Sequence, residues 1–141
     1  MGVHEHKKQA PRFITLGIIS VSTTRALIDD TSGQWIREQA EKKGHKIVFH
    51  EVIPDDAVKI AATLKEGIKD SNPPVILMSG GTVITKKDVT IEAVSPLFDK
   101  ELSAFGSLFA KLSMEEINSA AIMSRATAGV IGNTVVFCMP G

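Results

Sequence analysis

This chain has little cysteine, no excess of either charge and no long apolar run. Cys138 is the only cysteine among 141 residues, so no internal disulfide can form, and the apolar residues 135–139 around it predict a buried, unreactive thiol. Sixteen basic residues balance sixteen acidic ones, which argues against nucleic-acid binding. A membrane span needs about 20 apolar residues, and the sequence shows no such run and no signal peptide. These features predict a cytoplasmic protein that binds neither nucleic acid nor membranes.

Short apolar runs alternate with amphipathic segments along the chain. Such runs, bounded by Pro, Gly or polar residues, are typical of buried parallel strands, and they span residues 13–21, 46–53 and 75–78. Helices are predicted over residues 31–43, 57–70, 89–94 and 102–112. Ser113 and Glu116 predict the start of a further short helix, and Gly132-Asn133 predicts a hairpin. We therefore expect an α/β three-layer sandwich with a mostly parallel sheet and a C-terminal antiparallel hairpin.

The chain is predicted to hold one folded domain. Residues 1–11 are polar and predict a disordered tail, in which His4 and His6 lack the further ligands that a metal site needs. No repeat or linker divides residues 12–141. Because the sequence stops directly after the last predicted strand, we expect the complete protein to continue beyond Gly141.

A glycine-rich turn is the strongest functional signal. Gly80, Gly81 and Thr82 follow the strand at 75–78, and Lys86-Lys87-Asp88 comes just before the next helix. Glycines let bare N–H groups approach an anion, and a helix N-terminus adds positive potential. The pattern predicts a phosphate-binding site, and a tight turn without a ligand is the alternative.

Polar residues also follow the other predicted parallel strands. Ser22 follows the first strand, Asp55 the second, and Pro140-Gly141 the last. The carboxyl ends of parallel strands meet at one edge of a sheet, so these residues are predicted to line one crevice. A fold without a ligand would also place some polar residues at these ends, and that alternative stays open.

A series of short motifs resembles the molybdopterin adenylyltransferase family, which includes the MogA and MoaB proteins and the G domain of gephyrin. The motifs read DDTSG at 29–33, IPD at 53–55, GGT at 80–82, KDVT at 87–90, SRATAGV at 124–130 and MPG at 139–141. The first and the fifth are most similar to the MoaB branch. The likeness runs from about Phe13 to the last residue.

This resemblance implies adenylyl transfer from ATP to the terminal phosphate of molybdopterin, in molybdenum or tungsten cofactor synthesis. It implies Asp55 and Asp88 as catalytic residues and Mg²⁺ bound by Asp55, with Asp88 as a second candidate ligand. Substrate contacts are implied for Ser22, Asp30, Gly80, Gly81, Thr82, Arg125, Pro140 and Gly141. Asp30, Asp55 and Asp88 each also precede a predicted helix, so capping is their alternative role, and Asp56 is the stronger capping candidate.

The resemblance further implies a homotrimer or a dimer of trimers, and contact with the metal-insertion protein of the pathway. Trp35 is predicted to belong to the core or to an interface. Val83 stands where the family has a glycine, and it would be strained if its φ were positive. That departure favours the alternative function, a non-catalytic molybdopterin-binding or carrier protein. A different nucleotide enzyme on the same fold is a third possibility.

Overall fold

The computed structural model describes residues 2–141, which form a six-stranded sheet. The strands are β1 (Thr15–Val21), β2 (Lys46–Ile53), β3 (Val75–Ser79), β4 (Lys100–Glu101), β5 (Thr127–Ile131) and β6 (Thr134–Met139). Their order is β2-β1-β3-β6-β5-β4. The first four in this order are parallel, whereas β5 pairs antiparallel with both β6 and β4. The expected mostly parallel sheet and C-terminal hairpin are confirmed.

Helices cover both faces of the sheet. They are α1 (Val3–Gln9), α2 (Thr31–Lys42), α3 (Ala57–Ser71), α4 (Thr90–Val94) and α5 (Ala104–Ile117). The connections β1–α2–β2 and β2–α3–β3 run in opposite directions across the sheet, so right-handed crossovers place α2 and α3 on opposite faces. Phe105 of α5 packs on Phe137 of β6 on the α2 face, with their ring centroids 5.1 Å apart. No helix within residues 2–141 is long and apolar enough to cross a membrane.

The two faces of the sheet are buried to different degrees. The α3 face has the larger core, formed by Ile19, Val21, Ile53, Ile60, Leu64, Ile76, Met78, Val94, Val136 and Cys138. On the α2 face the buried cluster is smaller and consists of Leu16, Ile18 and Ala40. An apolar groove of about 730 Å³ opens there between α2 and α5. Trp35 lies at this groove and is 62% exposed, so it does not belong to the core of this chain, and its predicted alternative place at an interface stays a prediction.

The prediction for Cys138 is confirmed. Its side chain is fully buried in the core of the α3 face. This burial raises the pKa of the Cys138 thiol to about 12, because a thiolate would lose its hydration there. The thiol therefore stays protonated and unreactive at neutral pH.

Two local predictions differ from the structure. Where a disordered tail was expected, α1 forms within the described residues, and the Glu5 side chain accepts from the Gly2 N–H at its start. None of its residues is buried, so α1 depends on local helix propensity. Ser113 begins no new helix. It lies inside α5, because the helix-forming residues on both sides continue the backbone ladder and a single interior serine costs little.

Candidate active site

A polar cavity of about 310 Å³ lies at the carboxyl ends of β1, β2, β3 and β6. It occupies the switch point of the sheet, where β1 leads to β2 on one side and β3 lies on the other. Seven of the residues implicated by the sequence line this cavity: Ser22, Asp30, Asp55, Gly80, Gly81, Asp88 and Gly141. Motifs that are far apart along the chain thus meet at one edge of the sheet.

The Gly-Gly turn at the cavity requires glycine at both positions. Gly80 has φ 95° and Gly81 has φ 70°. A Cβ on Gly80 would lie 2.3 Å from the Val21 carbonyl oxygen, and one on Gly81 would lie 2.1 Å from Thr90 Oγ1. Thr90 fixes the turn, because its hydroxyl donates to the Gly80 carbonyl (2.9 Å) and its N–H to the Gly81 carbonyl (3.1 Å). The Gly81 N–H donates to no acceptor within residues 2–141, so it is available to an anion.

Asp55 and Asp88 form the rim of the cavity, and a threonine holds each of them. Asp55 Oδ2 accepts from the N–H (3.1 Å) and the hydroxyl (2.8 Å) of Thr23. Asp88 Oδ2 accepts from the N–H (3.0 Å) and the hydroxyl (2.5 Å) of Thr85. Within residues 2–141 the Oδ1 atom of neither aspartate accepts a hydrogen bond. Each rim carboxylate therefore keeps one oxygen for a ligand.

Capping, the alternative role for the two rim aspartates, is wrong for both. The side chain of Asp56 caps α3 by accepting from the Lys59 N–H (2.9 Å), as predicted. Helix α4 begins after Val89 with no side-chain cap. Asp88 instead closes the turn that starts at Thr85.

Asp30 forms the floor of the cavity in a network with Ser20 and His50. It is 2% exposed, and it caps α2 through Oδ1, which accepts from the Gly33 N–H (3.0 Å). Its Oδ2 accepts from Ser20 Oγ (2.5 Å) and from His50 Nε2 (2.8 Å). Because a carboxylate only accepts, the His50 proton is assigned to Nε2. Burial opposes ionisation, but these hydrogen bonds outweigh it and lower the pKa of Asp30.

The sequence patterns do not point to Ser20, Thr23 or His50. Ser20 lies in the buried strand β1 and His50 in the half-buried edge strand β2, and their buried side chains meet Asp30 beneath α2. A polar side chain at an inward-facing strand position is the signal that could have found them. Thr23 gives no such signal, because its partner Asp55 lies 32 residues away.

The family described as "Probable molybdopterin binding domain" matches residues 17–141. The chain belongs to this family. Molybdenum cofactor biosynthesis protein B of Bacillus cereus is 47% identical over 142 residues, which cover 100% of this chain and 84% of that protein. Molybdopterin adenylyltransferase of Pyrococcus furiosus is 45% identical over 147 residues, which cover 100% of this chain and 85% of that protein. The crystal structure of tungsten cofactor synthesizing protein MoaB from Pyrococcus furiosus superposes with a TM-score of 0.82 at 41% identity, covering 94% of this chain and 84% of that one.

Three residues implicated by the family resemblance do not line the polar cavity of this molybdopterin-binding domain. Thr82 is fully buried, and its hydroxyl has no partner within residues 2–141. Pro140 lines the apolar groove instead. Arg125 donates to backbone carbonyls of the segment that follows the Gly-Gly turn and pairs with Glu92. In the observed arrangement none of these three side chains faces the cavity.

The strain expected at Val83 is absent. Within residues 2–141 only Asn72 and Asn118 combine a side chain larger than hydrogen with a positive φ. Val83 therefore has a backbone conformation that any residue adopts. The valine gives no structural reason to doubt that a ligand can approach this molybdopterin-binding domain.

The charges around the cavity are mixed. Arg25 and Lys87 line it and supply positive charge. Asp30, Asp55 and Asp88 line it as well. A polyphosphate would meet three carboxylates and two cations there, so a divalent cation would be needed to balance the charge.

Proposed function

We propose that this chain acts in the synthesis of a molybdenum or tungsten cofactor and transfers an adenylyl group from ATP to the terminal phosphate of molybdopterin. The observation that carries this proposal is the meeting of Asp55, Asp88 and the Gly-Gly turn in one polar cavity. The Pyrococcus furiosus relative named molybdopterin adenylyltransferase aligns with the whole of this chain, which supports the same reaction here. An oxygen of the molybdopterin phosphate would attack the α-phosphorus of ATP, and the bond to the β-phosphate would break to release pyrophosphate.

Mg²⁺ would bind at the rim through Asp55, with Asp88 as a second ligand. This ion prefers oxygen ligands and binds through one or two carboxylates, with phosphates and water at its other positions. The rim fits that description, because each aspartate keeps one oxygen that accepts no hydrogen bond within residues 2–141. Such a site needs no larger protein cluster, and within residues 2–141 no group of three or more His, Cys, Asp or Glu could hold a metal. When bound, Mg²⁺ would neutralise phosphate charge.

The other cavity residues would bind and orient the two anionic substrates. The Gly81 N–H would donate to a phosphate oxygen of ATP, and Lys87 and Arg25 would add positive charge beside it. Ser22 and Gly141 line the same cavity and would contact the second substrate. Holding attacking and leaving groups in line supplies most of the catalysis in such transfers.

Turnover is the direct test. The protein is incubated with ATP, Mg²⁺ and molybdopterin, and the adenylylated pterin is detected by mass spectrometry. We expect the product to form only when all three are present, and we expect ATP binding to weaken as salt concentration rises. Binding of molybdopterin without turnover under these conditions would instead support the carrier function.

The apolar surface of α5 supports self-association. This helix has no fully buried residue, and it exposes Leu108 (61%), Leu112 (63%), Met114 (50%) and Ile117 (49%). Leu108 and Leu112 lie four residues apart and so share one face of the helix, and adjoining exposed apolar side chains are typical of an interface. We propose that a second copy of this chain covers it, as part of a trimer or a dimer of trimers. Sedimentation equilibrium should report an oligomer that Leu112→Glu dissociates, and a monomeric wild-type protein would contradict this assembly.

A further inference from the structure

Arg125 joins the two ends of the segment between the Gly-Gly turn and α4. Its Nε–H donates to the carbonyl oxygens of Thr82 (3.0 Å) and Val83 (3.2 Å). Its Nη2–H donates to the Asp88 carbonyl (3.3 Å), and its own backbone N–H donates to the Thr82 carbonyl (3.2 Å). One guanidinium thus contacts both the beginning and the end of residues 82–88.

Glu92 of α4 holds the guanidinium in this position. Its carboxylate accepts from Arg125 Nη1 (2.5 Å) and Nη2 (3.4 Å). The hydrogen bond from Arg125 lowers the pKa of Glu92, so the pair stays ionised at neutral pH. The planar fork of an arginine suits this combination of carbonyls and a carboxylate, which a lysine could not reproduce.

The segment held by Arg125 carries functional groups of the cavity. Lys87 and Asp88 line the polar cavity, whereas Arg125 does not. Arg125, which does not line the cavity, binds the Asp88 carbonyl, while the Asp88 carboxylate accepts from the Thr85 hydroxyl. A shift of the segment would therefore move the rim carboxylate away from the Gly-Gly turn.

We propose that Arg125, held by Glu92, is a positioning residue that fixes residues 82–88 so that Asp88 faces the polar cavity, and that it is not a phosphate ligand. A phosphate ligand would need its N–H groups directed at the cavity, but these groups donate to protein carbonyls and to Glu92. Only the kinetic part of its test rests on the proposed adenylyl transfer. The order of residues 82–88 can be measured without turnover.

The test compares Arg125→Lys and Glu92→Gln with the control variant Glu41→Gln. Glu41 pairs with Arg37 on α2, and the exposures of this pair (38% and 52%) closely match those of Arg125 and Glu92 (35% and 53%). The first measurement is hydrogen exchange of residues 82–92 in the unliganded protein. The second is kcat and KM for ATP in adenylyl transfer.

In both Arg125→Lys and Glu92→Gln, the backbone amide hydrogens of residues 82–92 should exchange at least about tenfold faster than in the wild-type protein. Both variants should also lose kcat on the order of 100-fold, because a small displacement of a catalytic group has an effect of that size. KM for ATP should stay within about twofold, since no phosphate contact is removed. Glu41→Gln should change none of these values.

Two results would overturn the positioning role. One is unchanged exchange in Glu92→Gln with a lower KM for ATP, because a guanidinium freed from Glu92 would then be binding phosphate. The other is wild-type kcat in Arg125→Lys, which would show that positive charge alone is sufficient. If the wild-type protein itself shows no turnover, the proposed function fails and the exchange measurement alone decides the role of Arg125.

Discussion

Carboxylates at the floor and at the rim of the polar cavity are held in opposite ways. At the floor, Asp30 is buried, and its two oxygens accept hydrogen bonds from three donors on α2, β1 and β2. At the rim, Asp55 and Asp88 each accept with one oxygen only, from a single threonine. The residue type is the same in both places, but the number of donors and the depth of burial differ.

This difference distinguishes an aspartate that stabilises the fold from an aspartate that is free to bind a ligand. A carboxylate that is satisfied on both oxygens and kept from water holds the backbone in place and has little left to offer a metal ion. A carboxylate fixed through one oxygen is oriented and still has a free lone pair. We therefore propose that Asp30 stabilises the site and that Asp55 and Asp88 take part in its chemistry.

Removing a rim carboxylate should have the largest effect of any single change. Asp55→Ala and Asp88→Ala should each slow adenylyl transfer by at least about 100-fold, because each removes charge placed for the transition state. The matched control is Asp56→Ala, which removes a helix cap next to Asp55 and should lower stability by about 1 kcal/mol with turnover retained. Turnover assays and urea denaturation of all three variants measure both effects. Near-normal turnover in both rim variants would contradict the catalytic assignment.

Removing the floor charge should affect stability more than any rim change. Asp30→Asn leaves buried donors from Ser20 and His50 facing an amide, so we expect a loss of about 3 kcal/mol. Its neighbour Asp29 is exposed, and Asp29→Asn should change stability by less than about 0.5 kcal/mol. Urea unfolding at neutral pH measures both. Equal stability of the two variants would remove the distinction between floor and rim.

Acid should weaken the floor of the cavity by protonating Asp30. The folded pKa of Asp30 lies below its ordinary value of 3.8, so the ionised form favours folding. This contribution is fully present above that value and is lost as the pH falls through the lower folded pKa. The urea midpoint of the wild-type protein should therefore fall steeply below about pH 4, and Asp30→Asn should fall less. Parallel pH curves for the two proteins would show that Asp30 is not ionised in the native state.

Val83→Gly should have the smallest effect. Val83 is unstrained, so glycine relieves nothing and adds flexibility to the unfolded chain. We expect a loss of about 0.4–1 kcal/mol of stability and unchanged ATP affinity. Calorimetry of ATP binding and thermal unfolding measure the two quantities. Tighter ATP binding in this variant would restore the interpretation that valine obstructs the turn.

Local sequence patterns predicted the helices and strands better than they predicted the contacts between residues far apart in the chain. The bounds of β2 and the apolar stripe of α3 follow from short-range composition and period, which a sequence displays directly. The Gly-Gly turn was also predictable, because glycine is the residue that adopts positive φ readily and both glycines do so here. The bond of Thr23 to Asp55 joins residues 32 apart, and that of Arg125 to Thr82 joins residues 43 apart.

Such pairings arise from the packing of distant elements, so no local pattern could identify Thr23 as the partner of a rim aspartate. The strain that the family resemblance suggested at Val83 is absent for a related reason. A family glycine marks a position in an alignment, but the dihedral angle there depends on the neighbouring backbone.

The position of a bound metal tests the assignment of floor and rim most directly. Crystals grown with Mn²⁺, a Mg²⁺ substitute with a strong anomalous signal, and a non-hydrolysable ATP analogue would show it. We predict an anomalous peak bonded to Asp55 at the rim, with a phosphate of the analogue against the Gly81 N–H. A peak at Asp30, or a nucleotide bound away from Asp55 and the Gly-Gly turn, would contradict the assignment.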